Sequence, residues 1–351
     1  MKTLRSWLTG ESVIPTATVW LLNDLAECRG KQELFIHQAP RKLHKLREHA
    51  IIESAVSSNR IEGVVIDDRR VGTVVFGHGL LQDRNEEEVR GYQEALAWIH
   101  EDHRQIMLST ETVLKLHHLS CPTSWDGGCF KKKDREIIEK HADGRVSVRF
   151  SPVSAAQTPL FVEKMCADYA QLVREKNTPP LLAWAAMNLD ILCIHPFRDG
   201  NGRVSRLLLL CSLYQLGFNA GRYISLEAII ERSKERYYST LKESSLGWHE
   251  GQHNPWPYVN YLLYTLKDVY DQFEERVGQV TVDYGEKTKM VRSAVATFSG
   301  PFHIRELRQN CPGISLDMIR KVLKDMRKSG EVECIGRGKQ AKWRVLGNGS
   351  G

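Results

Sequence analysis

The sequence predicts a mostly α-helical protein that contains one small β-hairpin and ends in a separate basic module. Two apolar stretches, residues 181–193 and 204–216, have the length and composition of buried helices. Residues 145–150 alternate polar and apolar side chains after a turn signal at residues 142–144, which predicts a hairpin. Positive charge accumulates only from residue 284 onwards, and this sets the last module apart.

Length, hydrophobicity and cysteine content narrow the class of protein. A chain of 351 residues with 42% hydrophobic residues is long enough for two or three domains. The eight cysteines form no C-x-x-C pair, no apolar run has the length of a membrane span, and residues 1–7 lack the apolar core of a signal peptide. We therefore expect a reduced, cytoplasmic protein with no membrane partner.

The net charge of +6 is unevenly distributed along the chain. Residues 284–351 hold 14 Lys and Arg against 6 Asp and Glu, a surplus of +8, so the rest of the chain carries −2. Because the surplus is confined to one module, it predicts an anionic partner for that module rather than for the whole chain.

The most informative stretch is the connector between the two predicted buried helices, residues 194–206. Its sequence is Ile-His-Pro-Phe-Arg-Asp-Gly-Asn-Gly-Arg-Val-Ser-Arg. Pro196 predicts that the first helix ends near His195, and the second helix should begin near Gly202 or Arg203. The free N–H groups of the second helix would then face the connector and favour an anion.

The side chains of this connector suit chemistry on a phosphate. Arg203 and Arg206 stand in the first turn of the second helix, where two guanidinium groups are unfavourable unless an anion offsets them. Asp199 lies among these groups, as in many sites that hold Mg²⁺ with most of its waters. His195 stands where a general base for a hydroxyl could stand. Each residue alone also fits an ordinary corner between two helices.

The connector resembles the signature of the Fic family, H-x-F-x-[D/E]-G-N-G-R-x-x-R, and matches it at every defined position. The resemblance extends over roughly residues 41–270 and implies a mostly helical catalytic core. Most characterised Fic proteins move AMP from ATP to a Ser, Thr or Tyr hydroxyl of a protein, with Mg²⁺. The resemblance therefore implies that this chain uses ATP and Mg²⁺, and that a target protein, which could be the chain itself, supplies the hydroxyl.

The resemblance also implies a role for each position of the motif. His195 would be the base, Asp199 would hold Mg²⁺, and Phe197 would anchor the loop in the core. The glycines and Asn201 would hold the α-phosphate, and the two arginines would hold the β- and γ-phosphates. The residues expected around the phosphates are Gly200, Asn201, Gly202, Arg203, Val204, Ser205 and Arg206.

A tyrosine pair, Tyr237 and Tyr238, lies on a helix predicted over residues 228–244. Family members often carry such a pair along the adenine and ribose pocket, and two half-buried core tyrosines explain the pattern equally well. Ser245 stands where family members often have an Asn near the adenine, which is a departure from the family pattern.

A helix predicted over about residues 43–63 ends in a second motif. Ser58 and Glu62 are four residues apart and share a helix face, and Gly63 suits the end of the helix. The three positions resemble the inhibitory motif of Fic proteins, [S/T]-x-x-x-E-[G/N]. The resemblance implies that Glu62 lies against Arg206 and restrains the enzyme, while spacing alone also fits a plain helix end.

The predicted organisation has four parts. These are an N-terminal helical region (1–110), the Fic catalytic core (111–270), a connector (271–283) and a winged helix domain (284–347). The hairpin, from residues 131–139 and 145–150, lies before the core motif, at the place where Fic proteins align a target segment by strand addition.

The last domain is predicted to be a winged helix-turn-helix because helices over residues 286–298, 304–310 and 316–329 precede two short strands. Its third helix would expose a basic stripe, and the wing adds Arg337 and Lys339. DNA contact is therefore expected, although such a stripe also fits a solvated helix face. The predicted core residues of this helix are Ile319, Val322, Leu323 and Met326, and the predicted stripe residues are Arg320, Lys321, Lys324, Arg327 and Lys328.

Two other functions stay open at the level of the sequence. The chain could be a DNA-binding regulator whose Fic core is silenced or only senses a nucleotide, although the complete motif argues against a silenced core. It could also be a Fic enzyme that uses another donor such as UTP, since the phosphate motif does not distinguish bases. The oligomeric state is open as well, with a homodimer as one option.

Overall fold

The structure is a computed structural model, and it describes residues 3–9, 13–38, 40–77, 79–140, 144–278, 284–298, 300–311, 314–336 and 341–346. The predicted turn at residues 142–143 and the wing residues Arg337 and Lys339 lie outside the described residues. The chain divides into two compact units, one made of Met1–Gln32 and Leu43–Phe273 and the other of Glu33–Lys42 and Glu274–Gly351. The boundaries of the four predicted parts stay predictions.

The protein is mostly helical with small antiparallel sheets, as the sequence predicts. Among the described residues, none of the helices combines the length and the apolar character needed to cross a membrane. The helices up to residue 278 are α1 (Thr3–Leu8), α2 (Thr16–Gln38), α3 (Pro40–Ile61), α4 (Val71–Phe76), α5 (Arg84–Asp102), α6 (Thr110–Ser120), α7 (Thr158–Glu175), α8 (Pro180–Ile194), α9 (Asn201–Gln215), α10 (Leu226–Arg232), α11 (Lys234–Ser245) and α12 (Trp256–Gly278).

The centre of the first unit is the pair α8 and α9. Every residue of α8 from Leu181 to Ile194 is buried, because the helix is largely apolar around its whole circumference. The buried amide of Asn188 donates to the carbonyl of Ser205 at 2.8 Å and accepts from the Tyr258 hydroxyl at 2.7 Å. A satisfied polar group of this kind fixes α8 against α9, so the connector between the two helices starts and ends at defined places.

Both helices of this pair end as the sequence predicts. α8 stops at Ile194, two residues before Pro196. Gly217 follows α9 with φ 84°, a left-handed conformation that glycine adopts without strain. The start of α9 is Asn201, one residue earlier than predicted.

The predicted hairpin is present as β1 (Ile137–Lys140) and β2 (Val146–Phe150), which pair antiparallel. Ile138 pairs with Val148, and these side chains are 51% and 52% exposed. The alternating sequence therefore marks a strand, but the apolar face of the hairpin is half exposed rather than buried.

The single helix predicted over residues 228–244 is wrong, because the chain leaves helical geometry at Ser233 (φ −110°, ψ 28°). The Ser233 hydroxyl donates to the carbonyl of Ile229 at 2.9 Å and shares a hydrogen bond with the Tyr261 hydroxyl at 2.8 Å. Serine side chains compete with helical hydrogen bonds in this way, and the result is the break between α10 and α11.

The second unit has the predicted order of helices and strands. It contains α13 (Tyr284–Ala296), α14 (Ile304–Gln309), α15 (Leu316–Lys328) and an antiparallel sheet in the order β3 (Phe302–His303), β5 (Lys342–Val345), β4 (Val332–Ile335). The two-residue strand β3 was not predicted, since it is too short to show a pattern. The four predicted core residues of α15 are buried and its five stripe residues are exposed. The assignment as a winged helix stays a prediction.

Candidate active site

The connector between α8 and α9 is held in one shape by its backbone and by Asn201. His195 ends α8 in the left-handed conformation (φ 51°, ψ 62°), and Gly200 precedes α9 with φ 79°. The Asn201 amide accepts from the N–H of Phe197 and donates to the Phe197 carbonyl, both at 2.9 Å. Because these groups are buried, the Asn201 side chain clamps the loop, and only its backbone N–H remains for the predicted phosphate.

His117 of α6 supports the connector from outside the motif. Its ring stacks on Phe197 with 3.8 Å between the ring centroids. Its Nδ1 accepts from the N–H of Gly128 at 3.0 Å, so we assign the proton to Nε2, which donates to the carbonyl of Asp199 at 3.2 Å. Burial lowers the pKa of His117 to about 4 and so keeps this neutral tautomer. Sequence patterns did not indicate this residue, because nothing in α6 sets it apart.

Lys131 supports the same connector from a second direction. Its ammonium group donates to the carbonyls of His195 at 2.9 Å and Ile194 at 3.2 Å, and its backbone N–H donates to the carbonyl of Pro196 at 2.9 Å. Lys131 is buried, and burial lowers its pKa to about 8. The sequence did not indicate this role, since three consecutive lysines before a strand are typical of an exposed surface.

The first turn of α9 forms a cradle for an anion. N–H groups at the start of a helix have no partner within the helix, and no side chain caps α9. A Cβ atom at Gly202 would clash with Glu62 Oε1 and lie 3.1 Å from Arg206 Nη1. Glycine at this position therefore lets a negatively charged group approach the helix closely.

Arg206 lies fully buried beside this cradle. Its Nε donates to the Ser58 hydroxyl at 2.8 Å, and its Nη2 donates to the Ser58 carbonyl at 2.9 Å and to Glu62 Oε1 at 2.8 Å. Its buried Nη1 has no hydrogen-bond partner within the described part of the chain. The expected ion pair between Glu62 and Arg206 is thus present, and the carboxylate occupies the place of an anion over Gly202.

The end of α3 that carries this carboxylate is also tied to α11. The helix stops at Ile61, and Gly63 follows with φ 85°, as expected for a residue after a helix end. The Lys234 ammonium group donates to the carbonyl of Ile61 at 2.6 Å, a contact that the sequence did not predict.

Arg203 is buried, and its charge is already paired. Its Nη1 donates to Glu88 Oε2 at 2.8 Å and to the carbonyl of Ser120 at 3.2 Å. The guanidinium group therefore ties α9 to α5 and α6. The motif assigns the charge of Arg203 to a phosphate, but Glu88 already offsets this charge. A direct phosphate contact by Arg203 would therefore have to compete with its ion pair with Glu88.

Asp199 offers one accessible carboxylate. Its Oδ1 accepts from the N–H of Gly200 at 2.7 Å, and its side chain is 60% exposed, with Oδ2 lying 3.7 Å from the Arg84 guanidinium. Among the residues that the structure describes, no group of three His, Cys, Asp or Glu side chains is arranged to share a metal ion. A single carboxylate fits Mg²⁺, which takes its other ligands from water and phosphate.

Val204 and Ser205 are two of the residues predicted around the phosphates, and each has a donor that is already used at the start of α9. Both are buried. The N–H of Val204 donates to the carbonyl of Gly200 at 3.0 Å, and the Ser205 hydroxyl donates to the carbonyl of Gly202 at 2.8 Å. Helix geometry uses the N–H groups internally from this point on, so the N–H groups left for an anion belong to residues 201–203.

Tyr237 and Tyr238 lie in different environments. Tyr237 is 2% exposed and packs against two tyrosines of α12, which makes it a core residue. Tyr238 is half-buried, with the Arg149 guanidinium of β2 5.5 Å from its ring centroid. Burial and then the nearby charge of Glu62 raise the pKa of Tyr238. Of these two tyrosines, Tyr238 is therefore the one with a partly accessible side chain.

His195 is the candidate general base. Burial lowers its pKa to about 4, and the nearby positive charge of Lys131 adds to this lowering. The imidazole is therefore neutral near pH 7, and a neutral imidazole is the form that can accept a proton.

Comparison with known proteins agrees with this fold. A model of the Fic/DOC family matches residues 107–213, which include α6, the hairpin, α7, α8 and most of α9. The chain therefore contains a Fic/DOC family domain.

Relatives and solved structures extend the comparison. Over 102 residues, 28% of this chain, the sequence is 29% identical to protein adenylyltransferase fic-1 of Caenorhabditis elegans, and the match spans 18% of that protein. The fold is similar to a Fic family protein from Desulfovibrio desulfuricans G20, with a TM-score of 0.62 and 21% identity over 97% of this chain and 98% of that chain. It is also similar to a Fic domain containing signaling protein from Bacteroides thetaiotaomicron VPI-5482, with a TM-score of 0.61 and 20% identity over 73% and 96% of the two chains.

Replacing Asn201 by Ala removes both hydrogen bonds to Phe197 and leaves two buried backbone groups without partners. We expect the free energy of unfolding to fall by about 2–4 kcal/mol, measured by urea unfolding of the full chain. Asn201→Asp should recover only part of the loss, because a carboxylate can accept from the Phe197 N–H but cannot donate to its carbonyl.

The control for this comparison is Asn85→Ala. The Asn85 amide makes one exposed hydrogen bond, to the carbonyl of Val65 at 3.0 Å. Its loss should cost less than about 1 kcal/mol. Equal losses for Asn201→Ala and Asn85→Ala would contradict the clamp.

Proposed function

We propose that this chain transfers AMP from ATP to a Ser, Thr or Tyr hydroxyl of a protein, and that Glu62 restrains the reaction. The observation that carries the proposal is the surroundings of Arg206. Its buried Nη1, unpartnered among the described residues, lies beside the uncapped first turn of α9, which follows directly on the connector with the neutral imidazole of His195. The Fic/DOC domain, and the relatives that are named protein adenylyltransferases, support this proposal.

The ATP phosphates would bind where the Glu62 carboxylate lies. The N–H groups of residues 201–203 and the bare Cα of Gly202 suit an anion, and Arg206 adds a charge-assisted donor. Asp199 would hold Mg²⁺, which supplies neutralisation of the phosphate charge when it is bound. The accessible ring of Tyr238 would contact the adenine.

His195 would take the proton of the acceptor hydroxyl. The hydroxyl oxygen forms a bond to the α-phosphorus, the bond from that phosphorus to the oxygen bridging to the β-phosphate breaks, and pyrophosphate leaves. Asn201, His117 and Lys131 hold the connector in one shape. They therefore keep the imidazole in a fixed position relative to α9, which is how the fold contributes to the rate.

Restraint by Glu62 follows from the same geometry. Its carboxylate takes a donor of Arg206 and fills the space over Gly202, so a phosphate oxygen at that place has to displace it. A carboxylate paired with a buried arginine competes well with phosphate. ATP that binds beside Glu62 would have its phosphates bent away from the in-line geometry that attack on the α-phosphorus requires.

Glu62→Gly should raise AMP transfer by at least about tenfold, because it frees the donor of Arg206 for a phosphate. Adding Arg206→Ala should return the activity to a low level. The measurement is incorporation of labelled AMP into the protein itself or a target at equal ATP and Mg²⁺, with intact mass to identify the added group. A parallel reaction with labelled UTP tests the alternative donor.

Two controls separate loss of the carboxylate from damage to α3. Glu48→Gly makes the same change at an exposed position within α3, the helix that precedes Glu62, and should leave the rate unchanged. Glu62→Gln keeps the shape and removes the charge, so its rate should exceed that of the wild type. Restraint by Glu62 is disproved by equal rates for the wild type and Glu62→Gly.

His195→Ala should lower AMP transfer by about 10²–10⁴-fold and leave the melting temperature near that of the wild type. Because the pKa of His195 is lowered to about 4, kcat/KM should stay nearly flat from about pH 7 to about pH 5.5 and fall only as pH approaches 4. A base with the ordinary histidine value of 6.5 would already be about tenfold slower at pH 5.5. Such a fall, or full activity of His195→Ala, would remove His195 from this role.

A second candidate function is binding of duplex DNA by the second unit. The observation that favours it is α15, where Lys324, Arg327 and Lys328 are exposed and form no ion pair with another described residue. Arg320 is also exposed, next to Asp317 at 3.2 Å. Clustered exposed charges of this kind suit the phosphates of DNA, with weak affinity and steep dependence on salt.

We expect the full chain to bind a labelled DNA duplex at low salt. In Lys324→Gln/Arg327→Gln, the slope of log affinity against log salt should fall by the amount expected for about two phosphate contacts. Fluorescence anisotropy over a salt series measures both quantities. The matched control is Lys164→Gln/Arg174→Gln on α7, which removes the same charge from exposed positions of the first unit. No binding at low salt, or equal weakening by both double variants, would exclude α15 as a DNA contact.

A further inference from the structure

A cavity of about 310 Å³ opens beside the connector that carries His195. We call it the basic pocket. Its walls come from the chain before β1 and from the connector itself, and they include Trp125, Phe130, Lys132, Lys133, Arg135 and Arg198. The whole pocket lies in the first unit.

The basic pocket holds positive charge that the described fold leaves unpaired. Lys132, Lys133 and Arg135 are exposed, and none of them forms an ion pair with another residue in the described ranges. Asp126 also lines the pocket, but its Oδ2 accepts from the Arg198 guanidinium at 3.1 Å, so those two charges offset each other. The pocket therefore keeps a net positive charge that attracts an anionic group.

The carboxylates of the segment before β1 line a different cavity. Asp134 and Glu136 line a neighbouring groove, to which Arg135 also contributes, whereas Lys132 and Lys133 line the basic pocket. The pocket is therefore basic even though the segment as a whole is of mixed charge.

The apolar wall of the basic pocket favours a protein segment over a nucleic acid strand. Trp125 is 74% exposed, and the Arg198 guanidinium already covers one face of its ring, 5.1 Å from the ring centroid. Single strands bind best on several free aromatic faces in succession. An exposed Trp edge beside cationic side chains instead matches a peptide with acidic residues next to an apolar one.

The basic pocket is connected to the candidate base. Lys131 also lines it and donates to the carbonyl of His195 at 2.9 Å, while Arg198 follows His195 by three residues in the connector. A segment held in the pocket therefore lies beside the connector that carries His195.

We propose that the basic pocket binds Asp or Glu side chains that flank the acceptor hydroxyl of the target protein. This inference rests on the proposed AMP transfer and adds the class of target: a hydroxyl in an acidic segment. The pocket would choose among hydroxyls by the charge of their neighbours, while the phosphate cradle holds the donor.

The first test measures binding without chemistry. The full chain is titrated into a short labelled peptide with one Ser, one Thr and one Tyr among Glu residues, and into the same peptide with Gln in place of each Glu. Fluorescence anisotropy at low salt should give at least about tenfold tighter binding of the Glu peptide. Equal affinities would overturn the proposal.

Two double variants locate the binding. Lys133→Gln/Arg135→Gln should weaken binding of the Glu peptide by at least about threefold, whereas Lys164→Gln/Arg174→Gln, with the same change of charge on α7, should leave it unchanged. Equal weakening by both double variants would show attraction by overall charge only and overturn the assignment to the pocket. A single-stranded oligonucleotide provides a further check. If it displaces the peptide, binds more tightly than the peptide and loses affinity only in Lys133→Gln/Arg135→Gln, the assignment to an acidic segment is overturned in favour of a nucleic acid site.

The second test separates this inference from the proposed function. AMP incorporation into the two peptides is measured with the Glu62→Gly protein. Faster labelling of the Glu peptide supports both the basic pocket as an acidic-segment site and the proposed AMP transfer. Equal labelling of the two peptides overturns the basic pocket and leaves AMP transfer standing. Preferential binding of the Glu peptide without any labelling supports the pocket as an acidic-segment site and counts against AMP transfer.

Discussion

The buried charge of Arg206 is the constraint on which the candidate site depends. A guanidinium group that has left water must be surrounded by acceptors, since an unpaired buried charge is strongly destabilising. Ser58 and Glu62 provide those acceptors, and they belong to the end of α3, far from α9 in sequence. Satisfying one arginine therefore brings the end of α3 to the first turn of α9, and the Lys234 contact with Ile61 adds α11 to the same place.

The connector shows a division of labour between backbone and side chains. The groups that suit an anion are backbone N–H groups and the Cα of Gly202, which carries no side chain. These groups do not have to reorient when a ligand binds. The connector itself takes the hydrogen bonds of three side chains, those of Asn201, His117 and Lys131. A loop built in this way can be rich in glycine and still have one conformation, as a reaction that depends on in-line geometry requires.

Most of the helices and the centre of the site could be predicted from the sequence, because a long motif and strong apolar periodicity are local signals. The ion pair of Glu62 with Arg206 was also within reach, since two motifs implied it. The role of Lys131 could not be predicted, because its hydrogen bonds reach a connector more than sixty residues away along the chain. The phosphate assignment of Val204 stays a prediction, since a motif names positions without saying which groups the helix already uses. The break at Ser233 depends on the hydrogen bonds of its side chain, one of them with a tyrosine of α12. Helix propensity is a property of the residue type and does not include such contacts.

The double hold on Arg206 has a consequence for the speed of the proposed restraint by Glu62. Ser58 contacts both Nε and Nη2 through its hydroxyl and its carbonyl, so the guanidinium group stays in place when Glu62 departs. The Glu62 side chain is 29% exposed and can leave by rotation about its own bonds. Rotations of exposed side chains take picoseconds to nanoseconds, whereas displacement of a docked helix takes microseconds or longer. Under the proposed restraint, release of the Glu62 carboxylate would therefore not have to wait for any displacement of α3.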